Sequence, residues 1–116
     1  MFLPNTNRVL FCKKPIDMRK AIDGLSILIA DEFQKNPTDS FIFLFRNKGR
    51  DKLKLLYWDR NGFCLWYKRL EKGRFYFPNE KEGVMELSSA QLRWLCDGLD
   101  FMKLKGHPSI SYKHFY

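Results

Sequence analysis

The sequence predicts one small α+β domain, an antiparallel β-meander with a helix packed on one face and a second helix that closes the domain. Three observations predict it. A stripe of apolar residues at helical spacing lies in the first third of the 116-residue chain. Short apolar and aromatic runs, separated by glycine-containing turns, fill the centre, and a serine-capped helical segment follows them. Residues 1–116 are expected to form this single domain, with an ordered core over about 8–101 and a loosely held tail over 103–116.

The N-terminal part is predicted to contain one strand and one helix. The strand covers Arg8–Cys12, a short apolar run. Asp17 is predicted to cap a helix that begins at Met18, because its carboxylate can accept a hydrogen bond from a free amide of the first turn. Asn36–Pro37 ends the helix. The helix is predicted to bury one stripe, formed by Met18, Ile22, Leu25, Ile29 and Phe33.

Four further strands are predicted in the centre of the chain. Phe41–Phe45 is apolar at every position, which is typical of a strand covered on both faces. Lys52–Asp59 and Phe63–Leu70 are predicted to form a hairpin around Asn61–Gly62, since both turn residues tolerate the positive φ of a type I′ turn. Phe75–Phe77 is predicted as a short last strand.

A second helix is predicted after a polar connection over residues 79–83. Ser88 or Ser89 can cap this helix, because a serine side chain accepts a hydrogen bond from a first-turn amide. The helix is predicted to contain Ala90, Leu92, Trp94, Leu95 and Leu99. Gly98 is predicted as its C-terminal cap, since glycine adopts the left-handed conformation without strain.

The positive charge of the chain is concentrated in one segment. The whole chain has 21 basic and 13 acidic residues, a net charge of +8. Residues 46–74 contain ten of these basic residues and three acidic ones, a net charge of +7. The ten cations are Arg46, Lys48, Arg50, Lys52, Lys54, Arg60, Lys68, Arg69, Lys72 and Arg74. We predict that they form a nucleic-acid-binding surface, because neighbouring cations neutralise several phosphates and release counterions. Charge alone leaves open a solvated basic face that only keeps the protein soluble.

Four aromatic residues interleave with these cations and are candidates for stacking on unpaired bases: Tyr57, Trp58, Trp66 and Tyr67. Because side chains alternate along a strand, half of such a set must face the core. For Trp58 and Trp66 we expect packing in the core in preference to exposure.

We expect no catalytic residue, no metal and no cofactor. The chain contains no Walker loop, no GxSxG and no HExxH motif. Cys12, Cys64 and Cys96 fit neither a disulfide framework nor a CxxC metal pair, and such a set favours a reducing cytoplasm and core positions. His107 and His114 form a poor metal pair without a third ligand.

A two-metal nuclease site is the enzymatic alternative, because carboxylate clusters can hold two cations at a phosphodiester. The candidate carboxylates are Asp17, Asp23, Asp51, Asp59, Asp97 and Asp100. Each of them is explained more simply by a helix end or a turn. No run reaches the roughly 18 apolar residues of a membrane span, and no signal peptide is visible. We therefore expect a cytoplasmic protein without a membrane partner.

Three blocks of the sequence carry a family resemblance. They are DMRK with IDGL at 17–20 and 22–25, the run FLFRNKGRDKLKLLYWDRNGFCLWYKRLEKGRFYFP at 43–78, and LSSAQLRWLCDGLDF at 87–101. They resemble the small TnpB-type (Orf2-like) accessory proteins of insertion-sequence family sixty-six, and the resemblance extends over about residues 8–101. The sequence departs from that family at Ala21, where a glycine is common, and at Cys64, where a large aromatic is common. The second departure puts base stacking at position 64 in doubt.

The resemblance implies a helper in DNA transposition that has no catalysis of its own. The catalytic carboxylates would belong to a separate, larger transposase encoded beside it. The expected partners are nucleic acid, with DNA favoured, and the cognate transposase, while the oligomeric state stays open. A protein-interaction module that bridges or stabilises the transposase is the alternative to nucleic-acid binding.

Overall fold

The computed structural model of the protein describes residues 8–78 and 81–105. Both histidines, most of the predicted tail and two residues of the predicted polar connection lie outside the described residues. The strands are β1 (Arg8–Cys12), β2 (Phe41–Arg46), β3 (Lys52–Asp59), β4 (Gly62–Arg69) and β5 (Val84–Leu87). The helices are α1 (Ile22–Leu28), which continues into a π-helical turn (Ile29–Phe33), α2 (Ser89–Cys96) and α3 (Phe101–Lys105). None of the described helices is long and apolar enough to cross a membrane.

The five strands form one mixed sheet in the order β4-β3-β2-β1-β5. The α+β class is confirmed. The β2-β3-β4 part is an antiparallel meander, but β1 lies parallel to β2, with Val9 opposite Ile42. A purely antiparallel sheet was therefore the wrong expectation. The reason is that α1 carries the chain back across one face of the sheet before β2 begins, and such a crossover makes the two strands parallel.

Helices cover both faces of the sheet and create two cores. On one face, Leu25, Ile29 and Phe33 pack against side chains of β1, β2 and β3. On the other face, α2 and α3 supply Leu92, Leu95 and Phe101 to a second core, which we call the α2-side core. The side chains of β2 alternate between these cores, which explains why every residue of this strand from Ile42 onward is buried.

The first helix keeps its predicted buried stripe but begins later than predicted. It starts at Ile22 and not at Met18. Asp17 closes a turn instead of capping the helix, since its carboxylate accepts the backbone N–H of Arg19 at 2.9 Å. The helical segment ends at Gln34, which adopts a left-handed φ of 52°.

The β3-β4 hairpin is confirmed, but its turn is one residue earlier than predicted. Asp59 pairs with Gly62, so the two loop residues are Arg60 and Asn61. The left-handed residue is Arg60, with φ 52°, and neither Asn61 nor Gly62 has a positive φ.

The predicted strand Phe75–Phe77 is wrong. After β4 the chain crosses the end of the sheet, and the Phe77 ring stacks on Phe11 of β1 with the ring centroids 5.3 Å apart. Burial of these rings therefore draws the segment away from the edge of β4. The fifth strand is Val84–Leu87, which pairs antiparallel with β1.

The second helix is confirmed together with both of its caps. The Ser88 hydroxyl accepts the N–H of Gln91 at 3.1 Å, and the Gln91 side chain accepts the N–H of Ser88 at 2.8 Å. At the other end, the N–H of Gly98 donates to Leu95 and the N–H of Leu99 to Trp94. With Gly98 at a φ of 81°, these bonds form a Schellman motif, so Leu99 lies outside the helix.

Candidate nucleic-acid interface

The ten candidate cations fall into three groups according to their surroundings. Three of them donate hydrogen bonds to backbone carbonyls of neighbouring segments. Arg46 is 3% exposed, and its Nε donates to the carbonyl of Lys13, just after β1, at 3.0 Å. Lys54 is 9% exposed, and its Nζ donates to the carbonyls of Met18 and Lys20 at 2.7 and 2.8 Å. These two bonds fasten the segment before α1 to β3.

Lys68 is the third cation with a structural contact. Its Nζ donates to the carbonyl of Cys96 at 2.7 Å, at the C-terminal end of α2. A cation there satisfies a free helix carbonyl and interacts favourably with the negative end of the helix dipole. All three cations in this group therefore have a role in the fold.

Three further cations lie beside carboxylates. Lys52 Nζ is 4.0 Å from Asp51, and Arg60 Nε is 3.6 Å from Asp59. Arg69 forms the closest pair, with its Nε 2.7 Å from Glu71. The Arg69 guanidinium lowers the pKa of Glu71 through a hydrogen bond and its charge. These pairs are exposed or partly exposed, so water and salt screen them and they contribute little to stability.

The last four cations are Lys48, Arg50, Lys72 and Arg74. Within residues 8–78 and 81–105, none of them has a carboxylate at ion-pair distance. Lys48, Lys72 and Arg74 are exposed, and Arg50 is half-buried. Among the described residues, no contacting carboxylate neutralises their charge.

Two backbone hydrogen bonds bring these four cations together. The N–H of Leu70 donates to the carbonyl of Asp51 at 2.8 Å, and the N–H of Phe75 donates to the carbonyl of Arg50 at 2.7 Å. The β2-β3 turn and the segment after β4 thus lie side by side. Lys52 and Arg69 face each other across the strand pair at the same place. We call this region the basic end of the sheet; it consists of Lys48, Arg50, Lys52, Arg69, Lys72 and Arg74.

Arg60 lies at the opposite end of the same two strands, in the β3-β4 turn. The eight residues of β3 separate the two ends by about 23 Å. Six of the ten predicted cations are therefore gathered at one place, three have structural contacts, and one is remote.

A buried arginine, Arg46, adds positive charge beneath the surface of the basic end. The Arg46 guanidinium carbon lies 5.5 Å from the centroid of the Phe77 ring, close to the segment that crosses the sheet. Burial lowers the pKa of Arg46, and the charge of Arg50 lowers it further. The two guanidinium groups therefore lie close enough for their like charges to interact.

Three of the four aromatic candidates are at least partly buried, and only Tyr67 among the four is exposed. Trp58 packs edge-on against Phe63, with the ring centroids 5.0 Å apart, and Trp66 lies partly buried against the α2-side core. Tyr57 is half-buried. Tyr67 is 48% exposed, and Lys54 Nζ lies 5.5 Å from its ring centroid.

The most exposed aromatic residue of this region, Tyr76, is not among the four predicted stacking residues. Tyr76 is 53% exposed, whereas its neighbours Phe75 and Phe77 are 2% and 6% exposed. It lines a groove of about 680 Å³ together with Arg50 and Arg74. The segment was predicted as a strand, and the alternation of side chains along the FYF run already places Tyr76 opposite Phe75 and Phe77.

The residues considered for catalysis lie in separate surroundings. Burial raises the pKa of the Cys12 thiol and raises that of Cys96 to about 12, and a thiol with a raised pKa is a weak nucleophile. Asp51 accepts a hydrogen bond from Asn47 at 2.6 Å, and this bond lowers its pKa. In the described part of the chain, no three His, Cys, Asp or Glu residues come together in a way that could hold a metal ion.

Comparisons with known proteins place the chain in a family. The family model described as IS66 Orf2 like protein matches residues 7–106. The uncharacterized protein y4jC of Sinorhizobium fredii (strain NBRC 101917 / NGR234) is 36% identical over 101 residues, covering 87% of this chain and 86% of the relative. The uncharacterized protein y4hO of the same strain is 33% identical over 106 residues, covering 91% and 89%. No solved structure matches significantly. The chain therefore belongs to the IS66 Orf2-like family, and this membership implies an accessory role in insertion-sequence transposition.

Proposed function

We propose that this protein is a non-catalytic accessory protein of transposition that binds DNA through the basic end of its sheet. The observation that carries the proposal is the charge balance there. Six cations lie on two adjoining turns and the strand ends between them, opposed by Asp51 and Glu71. Cations without carboxylate partners gain most from phosphate, because binding releases the counterions condensed on DNA.

The proposed contact residues are fewer than the ten cations of the segment. Arg46, Lys54 and Lys68 are engaged with backbone carbonyls, and moving them to a phosphate would leave those carbonyls without donors. Arg60 lies about 23 Å away at the other end of β3, beside Asp59, and is therefore not part of this cluster of cations. We assign the interface to Lys48, Arg50, Lys52, Arg69, Lys72 and Arg74.

A fluorescence anisotropy titration with duplex DNA at several salt concentrations tests the proposal. If five or six phosphates are neutralised, log K should fall against log salt with a slope of about −5. Replacing Lys48, Arg50, Lys72 and Arg74 together with Glu should reduce affinity at low salt by about a hundredfold or more and should flatten the slope.

The matched control carries the same change in net charge elsewhere. Replacing Lys35, Arg60, Lys81 and Arg93 with Glu alters four exposed positions outside the basic end. This variant should keep the wild-type salt slope and lose far less affinity. Equal losses in both variants, with both proteins folded by circular dichroism, would show that only net charge matters. Absence of wild-type binding at low salt would disprove DNA binding.

A second candidate function is docking to the separate transposase. The observation that favours it is a pair of exposed apolar side chains where α2 passes into α3, Leu99 and Met102. Protein interfaces combine such apolar anchors with arginine. Co-purification with the transposase after nuclease treatment, lost in a Leu99→Glu variant that still binds DNA, would support this role. Failure to co-purify would eliminate it.

The absence of catalysis is also part of the proposal. It is supported by the raised thiol pKa values, by the separate surroundings of the aspartates and by the family. Purified protein should not cut supercoiled DNA in the presence of Mg²⁺ or Mn²⁺. Cleavage that an Asp→Asn substitution abolished would reverse this assignment.

A further inference from the structure

We propose that the groove beside Tyr76 accepts an unpaired nucleotide, so that the protein prefers single-stranded or locally opened DNA to an intact duplex. This inference rests on the proposed function and extends it from charge to the form of the DNA. The groove lies between the segment 73–78 that crosses the sheet and the start of α3, next to the basic end. Its volume of about 680 Å³ is within the range of small-molecule sites, about 300–1,000 Å³.

Tyr76 is held outward by its neighbours. Phe75 and Phe77 are anchored in the α2-side core, and their rings contact one another at 6.0 Å between centroids. The N–H of Phe75 is bound to the carbonyl of Arg50, and Pro78 follows as a buried residue. With both flanks fixed, the Tyr76 ring is presented to the groove without a large loss of backbone freedom on binding. Such a ring offers a stacking surface to any base, because every base has a π face.

Two arginines add positive charge to the same groove. Arg50 reaches it from the β2-β3 turn and Arg74 from the segment after β4. Neither has a carboxylate partner in the described part of the chain, so both can bind the phosphates that flank a stacked base. An aromatic ring in a positively charged groove is the arrangement that single-strand binding proteins use.

Asp100 at the same groove restricts what can enter. Its carboxylate repels a phosphate that comes close, and it can accept a hydrogen bond from the amino group of a base. A duplex presents phosphates on its outside and keeps its bases stacked inside. The groove therefore suits a base that has left the stack, with its phosphates kept toward the arginines.

The test compares a 20-nucleotide single strand with the duplex of the same sequence, by anisotropy at one low salt concentration. Wild-type protein should bind the single strand more tightly. Tyr76→Ala should lose about tenfold or more of the single-strand affinity, with duplex affinity unchanged within about twofold. Tyr67→Ala is the matched control, because Tyr67 is similarly exposed but lies on β4 outside the groove; it should keep the preference.

A strand of the same length built from abasic sites isolates the stacking step. Wild-type protein and the Tyr76→Ala variant should bind this strand equally, since it offers phosphates but no bases. A wild-type preference for the duplex, or equal effects of Tyr76→Ala and Tyr67→Ala, would overturn the inference while leaving DNA binding intact. If the duplex also fails to bind at low salt, the proposed function itself fails. If Tyr76→Ala instead abolishes capture of the transposase and leaves all DNA binding unchanged, the groove is a protein-docking site and the inference is overturned.

Discussion

The two ends of the β3-β4 strand pair carry the same kind of residue in the same backbone conformation but differ in what surrounds it. Arg50 and Arg60 both adopt a left-handed φ, of 63° and 52°. Arg60 stands beside the carboxylate of Asp59 in a two-residue hairpin loop. Arg50 lies among other cations, near the buried Arg46, and lines a groove. The difference teaches that a binding surface here depends on local charge balance and shape, and that single arginines do not define it.

The largest effect on DNA affinity is expected from charge reversal, and it should differ between the two ends. An Arg50→Glu/Arg74→Glu variant should lower DNA affinity by about a hundredfold at low salt, because two attractive contacts become repulsive. Arg60→Glu should change affinity by less than about threefold. Anisotropy titrations of both variants check this. A similar loss from Arg60→Glu would mean that the DNA follows the full length of the sheet.

The next largest effect concerns stability and separates two cations on one strand. Lys54→Met should destabilise the protein by about 2–3 kcal/mol, because the carbonyls of Met18 and Lys20 lose a charged donor. Lys52→Met, which removes only a 4.0 Å contact with Asp51, should cost less than about 0.5 kcal/mol. Urea unfolding followed by tryptophan fluorescence measures both. Equal costs would contradict the assignment of Lys54 to the fold.

A smaller effect is expected when the left-handed arginines become glycine. Both Arg50→Gly and Arg60→Gly relieve a backbone conformation that a side chain disfavours, so stability should change by no more than about 1 kcal/mol in either. DNA affinity should fall about fivefold in Arg50→Gly alone, since only that side chain belongs to the basic end. Thermal unfolding and anisotropy on the same samples separate the two effects.

The smallest effect comes from the acidic residues at each end. Glu71→Gln removes a charge that opposes the basic end and should raise DNA affinity about twofold, whereas Asp59→Asn at the other end should leave it unchanged. The pKa values of Asp51 and Glu71 are lowered, by hydrogen bonds from Asn47 and Arg69 respectively. Both stay ionised as pH falls to the ordinary range of a carboxyl group, so their opposition to DNA binding should be constant from pH 8 to about 5 and weaken only in stronger acid.

These lowered pKa values also fix the direction of the acid response of the fold. A carboxyl group with a pKa lower in the folded than in the unfolded protein stabilises the fold above its unfolded pKa. That contribution disappears as pH falls through the folded pKa. Because both side chains are exposed, the effect on the unfolding midpoint should be small. A midpoint that rose on acidification would contradict the contacts of Asp51 and Glu71.

Local sequence patterns predicted most elements of the fold but not its connectivity. The strands Arg8–Cys12 and Lys52–Asp59 were predicted with the bounds that the structure has, and both caps of α2 followed from Ser88 and Gly98. The pairing of β5 with β1 had no local signal, because it joins residues from opposite ends of the chain. The stacking of Phe77 on Phe11 is likewise a tertiary effect, and it keeps residues 75–77 from forming the predicted strand.

The candidate site was predictable in location but not in membership. Charge counting found the segment 46–74, yet it could not tell a cation that binds a carbonyl from one that faces solvent. Lys52 and Lys54 lie two residues apart and point to the same side of β3, but only Lys54 lies under the segment before α1. Sequence patterns could not predict the groove, because a turn, a crossing segment and a helix that are distant in the chain form it together.

The late position of β5 has a consequence for the nascent chain. Until Val84–Leu87 leaves the ribosome, β1 has a neighbour on one side only, and its free amides and carbonyls can pair with another chain. Val9 and Phe11, which the finished protein buries, belong to that incomplete strand. A gene copy interrupted by a stop codon before Val84 should therefore yield an insoluble product, and not a shortened helper that competes with the intact one.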